Sequence, residues 1–314
     1  MKSQIRIGTR GSPLALYQAQ LLKACLRKHL PMIAVEVVKI KTGGDMIRRG
    51  AHANPLLTKR MYTKEIEDAL AAGGIDLAVH SAKDMAAVLP DGLKIGAVLE
   101  SEDPRDCLVS QEHKKFSALA MGARIGTSSL RRKMQLLRLN PELIVEEVHG
   151  NVETRIRKME EGHFDAVVLA YAGLKRLGLA NYVTEVFPGD RFLPAPGQGI
   201  IVAQCRIHDK ETEAVLEPIH HDASMKRLSC ERAFLRRLEG GCQLPCGVST
   251  QLSDSTLKCS AILLATEGHD WAEAQHEGPL EHAEKVGEEL ADRLLDKGGR
   301  EILEKIKANV KSSS

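Results

Sequence analysis

Ile5-Arg6-Ile7-Gly8-Thr9-Arg10-Gly11-Ser12-Pro13-Leu14-Ala15 takes the chain from a β-branched run to a helix start within a few residues. The run beginning at Ile5 reads as a strand. Ser12 followed by Pro13 pairs an N-cap hydroxyl with a first-turn proline, and predicts a helix reaching about residue 30. The pattern recurs outward from there. Strands are expected at 5–7, 35–40, 75–79, 93–98, 124–126, 143–148, 166–169 and 200–205. Helices are expected from Thr63 to about 72, from Ser129 to about 139, and after Asn151. Such alternation implies α/β layers. Charged, proline-containing breaks at 100–105 and 188–196 read as two crossings of a hinge between two α/β domains. From about Asp222 the pattern changes to one helix, a Gly240-Gly241 loop, a hairpin around Ser253-Asp254-Ser255 and two C-terminal helices. That predicts a third, smaller α+β domain.

The composition excludes several classes. At 314 residues and 43% hydrophobic, the chain has enough apolar content for two or three real cores. Its 44 basic and 42 acidic side chains leave a net charge of +2, which argues against a surface devoted to nucleic acid or anionic lipid. One Trp, four Tyr and five Phe are too few for a base-stacking platform. Seven scattered cysteines do not form the pattern of a secreted disulfide scaffold. The strand begins almost at Met1, which leaves no room for a signal peptide, and no apolar run reaches membrane-spanning length. A cytoplasmic protein is expected.

Five strand-to-helix junctions share a composition: Thr9 to Ser12, His80 to Asp84, Gly126 to Arg132, His149 to Arg155, and Tyr171 to Arg176. Each places small or hydroxyl residues and a cation at an expected helix start. Free backbone N–H groups and the helix dipole favour anions there, and guanidinium forks add bidentate contacts to carboxylates. One such junction is ordinarily a helix cap with a solvated arginine. Five on two α/β domains that share a cleft imply a ligand with many negative charges, and the dominance of arginine favours carboxylates. The sequence has no Walker-type glycine loop, so a nucleoside triphosphate is not indicated.

Asp84 is the one acid in its basic junction. It could cap a following helix or pair with Lys83; alternatively, an acceptor-only carboxylate in a positive cleft would stabilise a cationic intermediate or shuttle protons. Cys242 follows Leu238-Glu239-Gly240-Gly241, where a helix with Cys230, Phe234, Leu235 and Leu238 on its apolar side reaches a glycine stop. A cysteine on such a loop is sterically accessible; alternatively it is a small buried hydrophobe, as cysteines often are. Cys246 has no second Cys or His pair at matching spacing, so a metal is not expected, and the remaining cysteines read as core.

The motifs Ile7 to Ala15, Val79 to Asp84, Gly126 to Arg132, Gly150 to Arg155, Ala172 to Gly178, Pro194 to Gly199 and Glu239 to Cys242 resemble, in order, the successive signatures of hydroxymethylbilane synthases, also called porphobilinogen deaminases. The resemblance covers essentially the whole chain. It implies two domains like those of periplasmic binding proteins flanking a cleft, 1–99 with 199–218 and 105–193, and a third at 222–314 that carries the cofactor cysteine. It implies a monomeric transferase of tetrapyrrole biosynthesis, with a dipyrromethane primer covalently attached to Cys242. Four porphobilinogens are added, each with loss of ammonia through an azafulvene, and water releases hydroxymethylbilane. By position Asp84 is catalytic; Ser81, Lys83, Thr127, Ser129, Arg131 and Arg132 hold the primer; Arg10, Arg155, Arg176 and His149 face the substrate. Primer and four additions make six rings with two carboxylates each, which explains why one cleft needs so many cations.

Three positions depart from the family pattern. His149 stands where arginine is usual, and histidine loses its charge as pH rises. Ala86 stands where proline is usual, and Thr58-Lys59-Arg60-Met61-Tyr62 replaces a glycine-rich stretch in a segment, 45–62, expected to form a lid. Two other readings follow: a non-catalytic binder of an anionic metabolite in the same cleft, or a paralogue that has lost turnover. A regulator is disfavoured, because no helix-turn-helix or basic stripe precedes the cleft domains.

Overall fold

The computed structural model describes residues 2–43, 60–238, 244–266 and 270–312. In chain order the strands are β1 (Gln4–Thr9), β2 (Ala34–Lys39), β3 (Leu77–Ser81), β4 (Leu93–Val98), β5 (Asp106–Ser110), β6 (Arg124–Gly126), β7 (Ile144–Glu146), β8 (Ala166–Ala170), β9 (Glu185–Val186), β10 (Ile201–Arg206), β11 (Cys246–Ser253), β12 (Thr256–Leu264) and β13 (Trp271–Pro279). The helices are α1 (Pro13–His29), α2 (Arg60–Ala71), α3 (Leu130–Leu139), α4 (Val152–Glu160), α5 (Tyr171–Arg176), α6 (Lys210–Leu216), α7 (Asp222–Arg237), α8 (Ala283–Leu294) and α9 (Arg300–Ser312).

The chain divides into two compact units, Met1–Glu102 with Gly199–Leu228, and Asp103–Gln198 with Ser229–Ser314. The first unit holds a five-stranded sheet of order β2-β1-β3-β10-β4, in which β1 runs parallel to β2 and β3 while β10 runs antiparallel to β3 and β4. The second unit repeats this plan as β7-β6-β8-β5-β9, with β5 as the antiparallel strand. The fold is therefore α/β, with a separate antiparallel sheet β11-β12-β13 in the C-terminal part of the second unit.

Period-2 alternation sorts each strand between two buried faces. Ile5, Ile7, Leu77 and Val79 pack with Leu22 and Leu26 of α1, whereas Ala78, on the opposite face of β3, packs with Ile66 and Leu70 of α2. In the second sheet Cys107, Val167 and Leu169 face one core, and Leu108, Ala166 and Val168 the other. Burial on both faces explains why these strands read as short apolar runs.

Several expectations are corrected in detail. Helix α2 starts at Arg60, not Thr63, because the Thr63 hydroxyl is not a cap: it donates to Glu67 Oε2, one turn on, at 3.3 Å. The strands β5, β9 and β13 had no counterpart in the sequence reading. The hairpin around Ser253-Asp254-Ser255 is present, with Ser253 opposite Thr256, and two helices follow it.

Gly287 marks a close approach between helices. A Cβ there would lie 2.1 Å from the Cys230 carbonyl oxygen of α7. Alanine is the better helix former, by roughly 1 kcal/mol, but backbone cannot yield as a side chain does. Gly287→Ala is therefore expected to lower stability by about 1–3 kcal/mol, as overpacking does, with a matching fall in the thermal unfolding midpoint.

Candidate functional site

In the first unit the motif residues gather at the carboxyl ends of the neighbouring strands β1 and β3, where open α/β sheets bind ligands. Past β1, Ser12 caps α1 as expected, its hydroxyl accepting from Ala15 N at 3.4 Å, while buried Thr9 donates to Ala15 O at 3.2 Å. Arg10 lies over the Tyr62 ring of α2 at 4.3 Å from its centroid, a cation–π contact that orients the guanidinium. Past β3, Ser81 exchanges two hydrogen bonds with the side chain of buried Gln18, at 2.8 and 3.3 Å. Sequence reasoning gave Gln18 no role; its polarity on the inner face of an amphipathic helix was the available signal.

Lys83 and Asp84 do not start an α-helix, contrary to expectation. They sit on a single 3-10 turn, Ala82–Asp84, after which Met85 is extended. Asp84 has no α-helix to cap and forms no ion pair with Lys83, so neither structural explanation for it holds. It is half-buried, with no hydrogen bond among the described residues.

His80, two residues before Ala82, is buried, and its Nε2 has no hydrogen-bond partner among the described residues. Burial pushes its pKa down to about 4 and Arg10 adds to this, against the opposite pull of Gln204 and Asp84. The ring next to the Asp84 turn is thus neutral near neutral pH.

In the second unit the cations lie past β6, β7 and β8. Ser129 caps α3, accepting from Arg132 N at 3.4 Å, and buried Thr127 accepts from Ser129 N at 3.2 Å through its hydroxyl. The Ser128 hydroxyl donates to Val148 O. Arg131 and Arg132, in the first turn of α3, are buried against Asp106 at the start of β5. Arg131 Nη1 donates to Asp106 Oδ2 at 2.7 Å and to Leu193 O at 2.6 Å. Arg132 donates to Asp106 Oδ1 from Nε (3.0 Å) and Nη2 (2.7 Å), and from Nη1 to Val168 O at 3.0 Å. Burial alone would raise the Asp106 pKa; the two guanidiniums reverse this and hold it far below the ordinary carboxylate range. Asp106 escaped the sequence reading because it sits 25 residues from Arg131, in a strand that reading did not assign.

Asn151 caps α4, accepting from Thr154 N at 2.9 Å, and Arg155 Nε folds back to Gly150 O at 2.8 Å. His149 is exposed, with Nε2 3.1 Å from Glu147 Oε2, so its neighbour is a carboxylate of the chain itself. Arg176 lies in the last turn of the six-residue α5, not at a helix start as expected, where its charge complements the carbonyl end of the dipole. Cys242 and the 44–59 part of the expected lid lie outside the described residues; Cys246 is buried at the start of β11.

In each of the two sheets, then, basic and hydroxyl side chains follow the carboxyl ends of the parallel strands of an α/β fold. A model described as "Porphobilinogen deaminase, dipyromethane cofactor binding domain" matches residues 5–214, and one described as "Porphobilinogen deaminase, C-terminal domain" matches residues 225–296. The porphobilinogen deaminase of Syntrophobacter fumaroxidans is 45% identical over 302 residues, 96% of this chain and 97% of that one. That of Carboxydothermus hydrogenoformans is 45% identical over 307 residues, 98% of each. Among solved structures, the methionine binding protein MetQ is similar over 73% of this chain and 95% of its own, at 14% identity and a TM-score of 0.46, a likeness too distant to bear on function. The chain belongs to the porphobilinogen deaminase family.

The depressed His80 pKa has a sign that can be checked. Between its unfolded value near 6.5 and about 4 the unfolded chain binds the extra proton, so this contribution to stability, present above pH 6.5, is lost as pH falls to 4. Denaturant unfolding of wild type and His80→Gln across that range should show the wild type losing up to about 3 kcal/mol more than the variant.

Proposed function

We infer that this chain is a hydroxymethylbilane synthase: it joins four porphobilinogen molecules to a dipyrromethane primer with loss of ammonia, and water releases the linear tetrapyrrole. The observation that carries this is family membership over nearly the whole chain. No observation favours a non-catalytic binder or a paralogue without turnover.

The donor set fits a polycarboxylate primer. The cluster of Arg131, Arg132 and Asp106 has one more cation than anion, and the Nε/Nη2 edge of Arg131 has no partner among the described residues. In this reading Ser81, Lys83, Thr127, Ser129, Arg131 and Arg132 hold the primer, linked to Cys242 through a thioether. When bound, the primer supplies the nucleophilic pyrrole carbon to which the first substrate is joined. Arg10, Arg155, Arg176 and His149 take the acetate and propionate of incoming porphobilinogen.

Asp84 has the catalytic role. As the aminomethyl C–N bond of porphobilinogen breaks, ammonia leaves with the electron pair and positive charge spreads over the substrate pyrrole. A carboxylate beside that ring stabilises the charge, accepts the pyrrole N–H and takes the proton released when aromaticity returns. Among the described residues Asp84 has no helix to cap and no ion-pairing partner, which supports this role. The same reading takes 1–99 with 199–218, 105–193 and 222–314 as the three domains. A reducing cytoplasmic setting agrees with described cysteines that are all free thiols.

Intact mass and peptide mapping of the purified chain test the function: a two-pyrrole adduct on Cys242 is expected, and an unmodified Cys242 in turning-over protein, or an adduct on Cys246, would refute the assignment. Asp84→Asn should unfold at the wild-type temperature yet release ammonia at least about a hundredfold more slowly, since the amide keeps the shape but not the charge. Near-normal ammonia release by that variant would remove Asp84 from the mechanism.

A further inference from the structure

We propose that Asp106 is the positioning residue of the primer site, a role that rests on the function inferred above: its carboxylate orients Arg131 and Arg132 before any ligand arrives and leaves Arg131 to take a primer carboxylate. Asp106 has no exposed surface and sits in β5, an interior strand of its sheet, paired with Ala170. Its oxygens accept from Arg131 Nη1, from Arg132 Nε and Nη2, and from Gln198 Nε2 at 2.9 Å. The backbone that carries the arginines is fixed as well, through the Ser129 cap and the Thr127 hydroxyl behind it.

The two guanidiniums are placed differently. Arg132 gives its Nε/Nη2 edge to Asp106 and its Nη1 to Val168 O, so its plane is set from both sides. Arg131 uses only Nη1, and its Nε/Nη2 edge is unpartnered among the described residues although the side chain is only 6% exposed. A guanidinium does not shed its proton, so one carboxylate between two of them leaves a buried positive charge in excess. Such a charge needs a counter-ion, and a ligand carboxylate meeting the vacant edge in the bidentate manner would satisfy geometry and charge together. Asp106 itself does not reach the reacting atoms. It acts through the arginines.

The test counts primer per folded chain. Full-length wild type, Asp106→Asn and Asp106→Glu are expressed alike, the folded soluble fraction is isolated, and its intact mass gives the fraction bearing the two-pyrrole adduct. The wild type should be filled. Glutamate keeps the charge but lengthens the side chain, and occupancy should fall at least roughly threefold; asparagine loses the charge, and occupancy should fall at least roughly tenfold. Asp76→Asn, which removes a carboxylate paired with Lys2 and Arg6 in the first unit, should leave occupancy at the wild-type level and so separates positioning from a general loss of stability. Wild-type occupancy in folded Asp106→Asn or Asp106→Glu overturns the proposal. If the asparagine variant does not fold, the glutamate variant decides alone. A wild type with no adduct overturns the inferred function, and the role of Asp106 with it.

Discussion

A carboxylate with no access to water can stay ionised only if cations meet it, and Asp106 meets two. Removing one member of such a buried ion cluster costs on the order of 3–5 kcal/mol, because the others keep their charge without a partner. The Arg131, Arg132 and Asp106 cluster therefore constrains much of the second unit. It ties α3 to β5 directly, to β8 through Val168 O, and to the 193–198 loop through Leu193 O and Gln198. Gln135 adds to this, donating to Leu193 O at 3.0 Å and accepting from Leu193 N at 2.7 Å. Two residues that read in sequence as simple ligand contacts are also part of the interior.

The repeated sheet plan explains why so many polar residues collect in few places. In each unit a central parallel strand, β1 or β6, has a parallel strand on either side, so three neighbouring carboxyl ends point the same way. Side chains that follow those ends are close in space though tens of residues apart in sequence. The first unit gains Arg10, Ser81, Lys83 and Asp84 in this way, and the second gains the threonine, serine, histidine and arginine set from Thr127 to Arg176. The local forms differ with the residues present. Ser12, Ser129 and Asn151 cap helices, whereas the stretch after Ser81 makes one turn and then extends, so Asp84 has no α-helix to cap.

Much of this was legible in the sequence where a local rule applies. The caps at Ser12, Ser129 and Asn151 need only a hydroxyl or amide three residues before an unpaired N–H, and all three were identified. The 253–256 hairpin followed from a two-residue polar turn between alternating runs. Strand β13 was missed because Trp271 to Pro279 carries glutamates and glutamine on its exposed side, and its inner side has only the small Ala272 and Ala274 fully buried before polar His276 and Gly278, so its alternation is faint. Strand β5 was missed because its apolar stretch is three residues long and borders a charged break.

The sequence by itself determined the α/β alternation, the helix caps at Ser12, Ser129 and Asn151, and the order of motifs that places the chain in its family, since each depends on neighbours within a few positions. Tertiary structure decided what those residues meet. Asp106 finds its arginines across 25 and 26 residues, Gln18 finds Ser81 across 63, and His80 becomes neutral because the folded chain buries it away from water. Charge state and pairing depend on desolvation and on contacts made through space, and neither is written in the spacing of residues along the chain.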